Sequence, residues 1–321
     1  MIEKSNIISK VNIWRLLFCF TCLVGLATIA GFFGKLYWLF EIASHFRVQY
    51  LFFLLLFLIA FLIGKKYKFA LIAGLFVLLN TATILPLYFG SAQVSPKATR
   101  LRAMLLNVNS ANRQHDRVAE VIREEDPDFF LVMEVTGTWL TKLTELLPDY
   151  QYKVSRPRHD NFGIAFFSRL EPEKMEILQI GSSVPSVLAR LKYANGSLSV
   201  IGTHPLPPVG AEYAHSRNRQ ISDLAQKVKQ ISGPVVLIGD LNMTSWSPYF
   251  ADLLEESNLR DSRQGFGIQP SWPDGLFFLY VPIDHCLVSR EIKIVDRRVG
   301  PSIGSDHFPV TIDLAIDSSD L

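Results

Sequence analysis

Cysteine is scarce in this chain of 321 residues. Cys286 is the one cysteine of its polar part, while Cys19 and Cys22 lie in an apolar stretch. A disulfide bond within the polar part is therefore excluded. The 7 histidines are spread along the chain, so neither residue type supplies the closely spaced set that holds zinc. A zinc site is accordingly disfavoured.

Acidic residues are almost missing from the first hundred positions, where Glu3 and Glu41 stand against ten Lys and Arg. The rest of the chain has 22 Lys and Arg against 28 Asp and Glu, a formal charge of −6. The overall charge of +2 therefore describes neither part. The acidic part has the length of an ordinary domain. Its charge disfavours tight non-specific binding of nucleic acid, which relies on Lys and Arg at the phosphates.

Three long apolar runs occupy the first part of the chain, at residues 16–34, 48–64 and 69–90. Each is close to the length that an α-helix needs to cross a hydrocarbon core of about 30 Å. A secretory signal peptide has a single apolar region of about 7–15 residues before a cleavage site, which does not fit three runs in succession. We therefore predict about three transmembrane helices in a membrane region over residues 1–90, with the lipid bilayer as a partner.

Positive charge sets the expected orientation, because loops rich in Lys and Arg stay on the cytoplasmic side of a membrane. Such residues precede the first run and fill the turn between the second and third, namely Lys4, Lys10, Arg15, Lys65, Lys66 and Lys68. This pattern places the polar part on the outer side, periplasmic or extracellular, although Lys97, Arg100 and Arg102 favour the opposite side. Residues 91–100 are mostly small and polar and contain Pro96, which predicts a linker.

From residue 101 onward, short β-type runs alternate with amphipathic helical stretches, which predicts one layered α/β (α+β) domain over residues 101–321. The pair Asn195 and Gly196 joins two of these runs and is a strong hairpin signal. The predicted strands cover residues 102–108, 129–133, 163–167, 187–193, 198–202, 234–238, 283–288 and 308–314. The predicted helices cover residues 113–125 and 217–231.

Polar residues with catalytic or metal-binding potential lie at or near the ends of the predicted strands. They are Asn107, Glu134, His204, Asp240, Asn242, Asp284, Asp306 and His307. Each one alone fits an ordinary role, such as a solvated residue at a sheet rim or in a surface turn. Their recurrence at strand ends, where sites of α/β proteins commonly lie, favours a functional site.

Seven segments carry the pattern: LLNVN (105–109), FFLVMEV (129–135), GIAFFSR (163–169), IGTHP (201–205), VVLIGDLNMT (235–244), IDHCLVS (283–289) and GSDHFPVTIDL (304–314). In this order they resemble the endonuclease/exonuclease/phosphatase superfamily, which includes deoxyribonucleases, abasic-site endonucleases, neutral sphingomyelinases and inositol polyphosphate phosphatases. GDLN followed by SDH is the most specific part of the resemblance, which covers nearly all of the chain after residue 100. It implies a metal-dependent phosphoesterase with a four-layer sandwich of two packed mixed sheets flanked by helices.

The resemblance implies a metal site made of oxygen ligands. Glu134 would be the principal ligand, Asn107 would lie beside it, and Asp306 would share or position the ion. Such ligands suit Mg²⁺ or Mn²⁺, which keep several waters and bridge to substrate phosphate.

The resemblance also assigns catalytic roles. His307 would be a general base or a phosphate-contacting acid, oriented by Asp284. Asp240 and Asn242 would contact the attacking water and a non-bridging oxygen. His204 would stabilise charge on phosphorus or protonate the leaving oxygen, and its presence resembles the deoxyribonuclease and sphingomyelinase branches.

Other polar residues are weaker candidates. Asn161 is a candidate phosphate contact, and Arg217 or Arg219 would face the site from a helix start, although either Arg fits a solvated helix charge equally well. The remaining histidines of the polar part are interpreted as structural or surface residues, namely His115, His159, His215 and His285.

Three functions compete at this point. The first is a membrane-anchored hydrolase of phosphate esters, with nucleic acid, a lipid head group or a small phosphorylated solute as substrate and no obligate protein partner. The second is a non-catalytic membrane-tethered binding or scaffold protein of the same fold, which gives no reason to keep the whole set of polar residues. The third is a transporter-like component, but the apolar runs offer no ionisable pathway.

Overall fold

The computed structural model describes residues 12–90, 94–194 and 196–316 of the chain. Lys4, Lys10 and Asn195, on which the predicted orientation and hairpin partly rest, lie outside these residues. Four helices form the first part: α1 (Ile13–Ala30), α2 (Trp38–Ser44), α3 (Arg47–Ile63) and α4 (Tyr67–Ile84).

Two helical segments, Ile13–Phe33 and Tyr67–Tyr88, are each long and apolar enough to cross a membrane. The helices α2 and α3 meet the same criteria only as a pair, and the chain bends by 65° between them. Against the expectation of about three transmembrane helices, the described residues therefore contain two such helices, or up to three if the bent pair counts as one. Polar residues accompany the bend, since Glu41, His45 and Arg47 are all buried there.

Close packing and polar contacts join these helices. The carbonyl oxygen of Thr28 on α1 accepts a hydrogen bond from Nη1 of Arg47 at 2.7 Å, and its hydroxyl accepts one from Nδ2 of Asn80 at 3.0 Å. Gly25 lies so close to Phe76 that an added Cβ would come within 2.3 Å of the ring. Small residues and interhelical hydrogen bonds of this kind hold apolar helices together.

The polar part contains two six-stranded sheets. Its described strands are β1 (Thr99–Asn107), β2 (Phe129–Met133), β3 (Tyr152–Arg156), β4 (Ile164–Ser168), β5 (Pro172–Gln179), β6 (Pro185–Tyr193), β7 (Gly196–Gly202), β8 (Val235–Asp240), β9 (Arg260–Asp261), β10 (Asp284–Val288), β11 (Ile292–Val299) and β12 (Val310–Ile316). The strand orders are β11-β12-β1-β2-β4-β3 and β5-β6-β7-β8-β10-β9. Both sheets are mixed, because β1 pairs with β2 and β7 with β8 in parallel, while the other neighbours are antiparallel.

The two sheets pack face to face and helices cover their outer faces. Leu105 and Phe166 of the first sheet share one buried cluster with Val200 and Ile238 of the second. Helices α5 (His115–Glu125) and α6 (Gly137–Leu146) pack on the first sheet, and α7 (Ala211–Lys229) and α8 (Pro248–Ser257) on the second. This arrangement confirms the predicted four-layer α/β sandwich. All five residues of β2 are buried, as expected for a strand covered on both faces.

Every predicted strand and helix of the polar part has an observed counterpart, although α7 begins six residues before its predicted start. The helices α6 and α8 and the strands β3, β5, β9 and β11 were not predicted from the sequence. Each of these four strands lies at the edge of a sheet and is largely exposed or half-buried, so it lacks a continuous apolar run.

Candidate active site

The candidate site lies where strand ends of the two sheets meet. Asn107 is the last residue of β1, and Glu134 directly follows its parallel neighbour β2. Asp240 is the last residue of β8. Asp284 begins β10, which is antiparallel to β8, so these two carboxylates are register partners at the same end of the sheet. The sheet topology therefore gathers residues that are far apart in sequence.

A pocket of about 390 Å³ opens at this point. Seven of the predicted site residues line it: Glu134, Asn161, His204, Asp240, Asn242, Asp306 and His307. Asn107 and Asp284 lie behind this lining and contact members of it. Gly239 allows the close approach of β8 to the segment that carries His204, since its φ is +154° and an added Cβ would lie 1.8 Å from the carbonyl oxygen of Thr203.

His307 and Asp284 form a buried hydrogen-bonded pair. The ring Nδ1–H of His307 donates to Oδ2 of Asp284 over 2.8 Å, which leaves Nε2 on the side of Asp240, 3.6 Å from its Oδ2. Burial disfavours the charged ring, but the negative charge and hydrogen bond of Asp284 outweigh it and raise the pKa of His307 to about 9.

Asp240 lies between two imidazoles. Its Oδ2 is 3.4 Å from Nε2 of His204, and its Oδ1 accepts a hydrogen bond from the backbone N–H of Asn242 at 2.8 Å. Burial alone would raise the pKa of Asp240, but the contact with His204 and the charge of His307 lower it. Burial raises the pKa of Asp284, with a further contribution from the charge of Asp240.

Glu134 is held in place by its neighbours and by an unusual backbone conformation. Its Oε1 accepts a hydrogen bond from Nδ2 of Asn107 at 3.0 Å, and its Oε2 accepts one from the backbone N–H of Ser110 at 3.2 Å. Its φ is 62°, in the left-handed region that residues other than glycine rarely adopt. Strain of this kind concentrates at functional sites.

Asp306 brings a third carboxylate to the pocket, beside Glu134 and Asp240. Its Oδ1 accepts a hydrogen bond from Nδ2 of Asn109 at 2.8 Å, and its Oδ2 accepts one from Nε1 of Trp272 at 3.1 Å. Burial would raise the pKa of Asp306, but the charge of His307 and these hydrogen bonds lower it. Asp306 therefore presents an ionised carboxylate.

Two groups of residues have the chemistry to hold a metal ion. Glu134, Asn107 and Asp306 offer hard oxygen donors, which fit Mg²⁺ or Mn²⁺. The second group offers ligand atoms within 4.8 Å of one another, and its members are Asp240, Asp284 and His307. In that group Nδ1 of His307 and Oδ2 of Asp284 already bind each other, so those two atoms are engaged.

The weaker candidates for substrate binding lie in different places, and only Asn161 lines the pocket. Asn161 lines the pocket, and its Oδ1 accepts a hydrogen bond from the hydroxyl of Ser110 at 2.8 Å. Arg217 is fully buried outside the lining and pairs with the carboxylate of Glu41, so the structure does not bring this predicted substrate contact to the pocket. The alternative candidate, Arg219, lies away from the pocket. Its Nε donates a hydrogen bond to the carbonyl oxygen of Gly181.

His285 has a structural environment. It is fully buried, and its Nε2–H donates to the carbonyl oxygen of Met243 over 2.7 Å. Burial lowers the pKa of His285 to about 3, so the ring is neutral.

Part of the pocket wall was not predicted from the sequence. Ile42, His45 and Phe46, from α2 and the bend that follows it, line the pocket together with the polar residues. Trp272 and Val281 are among the wall residues that come from the polar part of the chain. The one sequence feature that could have indicated this wall is Glu41, an isolated acidic residue within the apolar part.

Comparison with known proteins gives a family match to the polar part. A sequence model of the Endonuclease/Exonuclease/phosphatase family matches residues 104–307. A UPF0294 protein of Vibrio parahaemolyticus is 31% identical over 138 residues, which cover 41% of this chain and 45% of that protein. The chain thus spans less than half the length of this curated relative.

Solved structures share the fold at low sequence identity. An endonuclease/exonuclease/phosphatase from Beutenbergia cavernae is 19% identical with a TM-score of 0.56, over 68% of this chain and 72% of that one. A mannosyl-6-phosphatase of Bacteroides thetaiotaomicron is 18% identical with a TM-score of 0.57, over 67% and 99%. D. rerio TDP2 complexed with a single-strand DNA product is 13% identical with a TM-score of 0.58, over 67% and 99%.

Proposed function

This chain belongs to the Endonuclease/Exonuclease/phosphatase family, and from that membership we propose that it is a membrane-anchored hydrolase of phosphate esters that requires Mg²⁺ or Mn²⁺. The observation that carries the proposal is the buried row formed by Asp284, His307 and Asp240 at the pocket. A purely structural role gives no reason to bury two carboxylates around one imidazole.

We assign residues 1–90 to the membrane region, 91–100 to a linker and 101–321 to the catalytic domain. The apolar helices support anchoring in a bilayer. The clusters of Lys and Arg support an outer location of the catalytic domain.

The metal would be held by Glu134, Asn107 and Asp306. When bound, it supplies positive charge that offsets the charge of the phosphate ester. Hydrolysis joins the oxygen of a water molecule to phosphorus, breaks the bond to the leaving oxygen, and moves one proton from the water to the leaving group.

The chain's own residues would move that proton. Asp284 engages Nδ1 of His307, so Nε2 is the atom that exchanges a proton with the reacting oxygens. Asp240 and Asn242 would orient the attacking water. His204 would donate to the leaving oxygen, and Asn161 would contact a phosphate oxygen.

A substrate panel with the full chain in detergent tests the proposed function. The panel holds bis(4-nitrophenyl) phosphate, 4-nitrophenyl phosphate, DNA, sphingomyelin and phosphatidylinositol phosphates, each with Mg²⁺, with Mn²⁺ and with chelator. We expect hydrolysis of at least one ester with metal and none with chelator. Equal hydrolysis in chelator would contradict the metal requirement, and no hydrolysis of any ester would favour the scaffold alternative.

A further inference from the structure

The catalytic pocket is shared between the two parts of the chain. Its polar residues come from the sandwich, but Ile42, His45 and Phe46 come from the amino-terminal helices. A pocket built only from residues after position 100 would lack this wall. The amino-terminal part therefore contributes to the site in addition to any anchoring role.

Buried polar contacts fix this wall in place. Nδ1 of His45 lies 3.1 Å from the hydroxyl of Thr244, and Oε1 of Glu41 accepts a hydrogen bond from the hydroxyl of Ser247 at 2.8 Å. Glu41 also pairs with Arg217, and both side chains are 0% exposed. Thr244 and Ser247 belong to the loop that follows Asp240, so the wall is attached to the loop that carries Asn242.

Most of the remaining pocket surface is apolar. The lining from the sandwich includes Phe162, Pro207, Pro208, Val209, Trp272, Val281 and Ile283. Within the described residues, the lining contains no Lys or Arg. A polyanionic substrate would find no Lys or Arg for its neighbouring phosphates, and a small hydrophilic ester would leave the apolar walls without a contact.

Exposed apolar residues extend this surface out of the pocket. Trp272 and Val281 pair across a short hairpin, and the loop between them exposes Leu276, Phe277 and Phe278. Phe277 is 78% exposed. The same loop is tied to the start of α3, because Nε2 of Gln49 donates to the carbonyl oxygen of Tyr280 over 2.9 Å. Aromatic residues beside an apolar helix are typical of a membrane surface.

We propose that the pocket takes a membrane lipid with a phosphate ester, whose phosphate lies at the polar residues and whose apolar chain lies against the wall built by Ile42, His45 and Phe46. This inference rests on the proposed function and names the substrate class for that same site. The chain would reach the bilayer past Val209 and the loop of Phe277 and Phe278.

A graded series of chromogenic phosphodiesters tests this inference. The full chain in lipid nanodiscs is assayed with alkyl 4-nitrophenyl phosphates whose alkyl chain lengthens from methyl to dodecyl, all with the same leaving group. We expect kcat/KM to rise by up to about fourfold for each methylene that enters the pocket. Partition into the nanodisc is the same for every variant, so it cancels when variants are compared.

The variant Phe46→Ala should lower the ratio of dodecyl to methyl kcat/KM by roughly tenfold or more, because the chain loses an aromatic contact. Val209→Ser, at an exposed position where folding is not at risk, should lower the same ratio in the same direction. Leu71→Ala, at a 67% exposed position on α4 outside the pocket, is the matched control and should keep the wild-type ratio.

The outcomes separate the two proposals. If the methyl ester is hydrolysed with metal but chain length has no effect, or if Phe46→Ala and Val209→Ser keep the wild-type ratio, the lipid assignment is overturned while the phosphoesterase function stands. If no ester of the series is hydrolysed but 4-nitrophenyl phosphate is, the lipid assignment is overturned while the phosphoesterase function stands. If neither the series nor 4-nitrophenyl phosphate is hydrolysed with Mg²⁺ or Mn²⁺, the proposed function itself is contradicted and the lipid assignment with it.

Discussion

Oδ2 of Asp284 lies 2.8 Å from Nδ1 of His307, so the carboxylate engages the ring nitrogen that faces away from Asp240. This contact orients the imidazole and keeps its Nδ1 protonated, because a protonated Nδ1 is needed to donate. The two residues are 23 positions apart and reach each other from the start of β10 and from the loop before β12.

If the pair acts as a unit, His307→Ala should lower kcat/KM by roughly 10²–10⁴-fold, the usual contribution of an acid–base group. Asp284→Asn should cost part of that factor, because the ring loses its orienting partner. The double variant should then be little worse than His307→Ala alone. Steady-state kinetics of the four proteins measures this, and fully multiplicative losses would show that the two residues act separately.

Substitution of Glu134 tests the proposed metal site. Glu134→Gln should abolish turnover and weaken Mg²⁺ binding in calorimetric titration, with little change in unfolding temperature, since a neutral amide is a poorer ligand for a hard cation. Asp284→Asn should keep Mg²⁺ binding. The reverse result, with binding lost in Asp284→Asn and kept in Glu134→Gln, would place the ion at Asp240, Asp284 and His307 instead.

The contact between Glu41 and Arg217 should matter for stability. Glu41→Gln leaves a buried guanidinium without its counter-charge, which we expect to lower the free energy of unfolding by about 3–5 kcal/mol. Denaturant unfolding of the full chain in detergent measures this. Lys35→Ala removes an exposed ion pair with Asp252 and serves as the matched control, with an expected loss of at most about 1 kcal/mol.

A paired change separates charge from packing at this contact. Glu41→Leu combined with Arg217→Met should recover most of the lost stability, because no buried charge is left unpaired. A double variant as unstable as Glu41→Gln would mean that other contacts of these side chains matter more, such as the hydrogen bond from Ser247 to Glu41.

The orientation in the membrane is open to a direct measurement. Because Lys65, Lys66 and Lys68 fill the turn between α3 and α4, we expect that turn inside and the catalytic domain outside. Alkaline phosphatase fused after Leu321 should therefore be active, and a fusion after Lys66 should be inactive. The opposite pair of activities would reverse the proposed orientation.

Short-range sequence patterns were sufficient for the sandwich core. β2 is a continuous apolar run that Glu134 follows directly, and β8 is a largely apolar run that ends in Asp240; such runs are typical of central strands. The edge strands β3, β5 and β11 had no such pattern, because an edge strand is only partly buried. Glu134 and Asp240 were predicted as site residues because each lies at the carboxyl end of a strand, where the sites of α/β proteins commonly lie.

Long-range contacts were beyond the reach of the sequence. Glu41 and Arg217 are 176 positions apart, and no local period or motif links them. Arg217 was therefore interpreted through its place at a predicted helix start, whereas its partner decides its role. The same limit hid Ile42 and Phe46, whose apolar side chains fit a membrane helix as well as a pocket wall.

The position of β1 beside β12 has a consequence for the order in which the domain folds. Thr99 pairs with Ile316 and Leu105 with Val310, so the first strand to be synthesised has the last one as a neighbour. One edge of β1 stays without its partner until β12 has left the ribosome, and an unpaired strand edge invites aggregation. Contacts between such distant positions also slow folding. A chain truncated before β12 should therefore fail to fold its polar part, and we expect such a chain to be degraded although its amino-terminal helices are present.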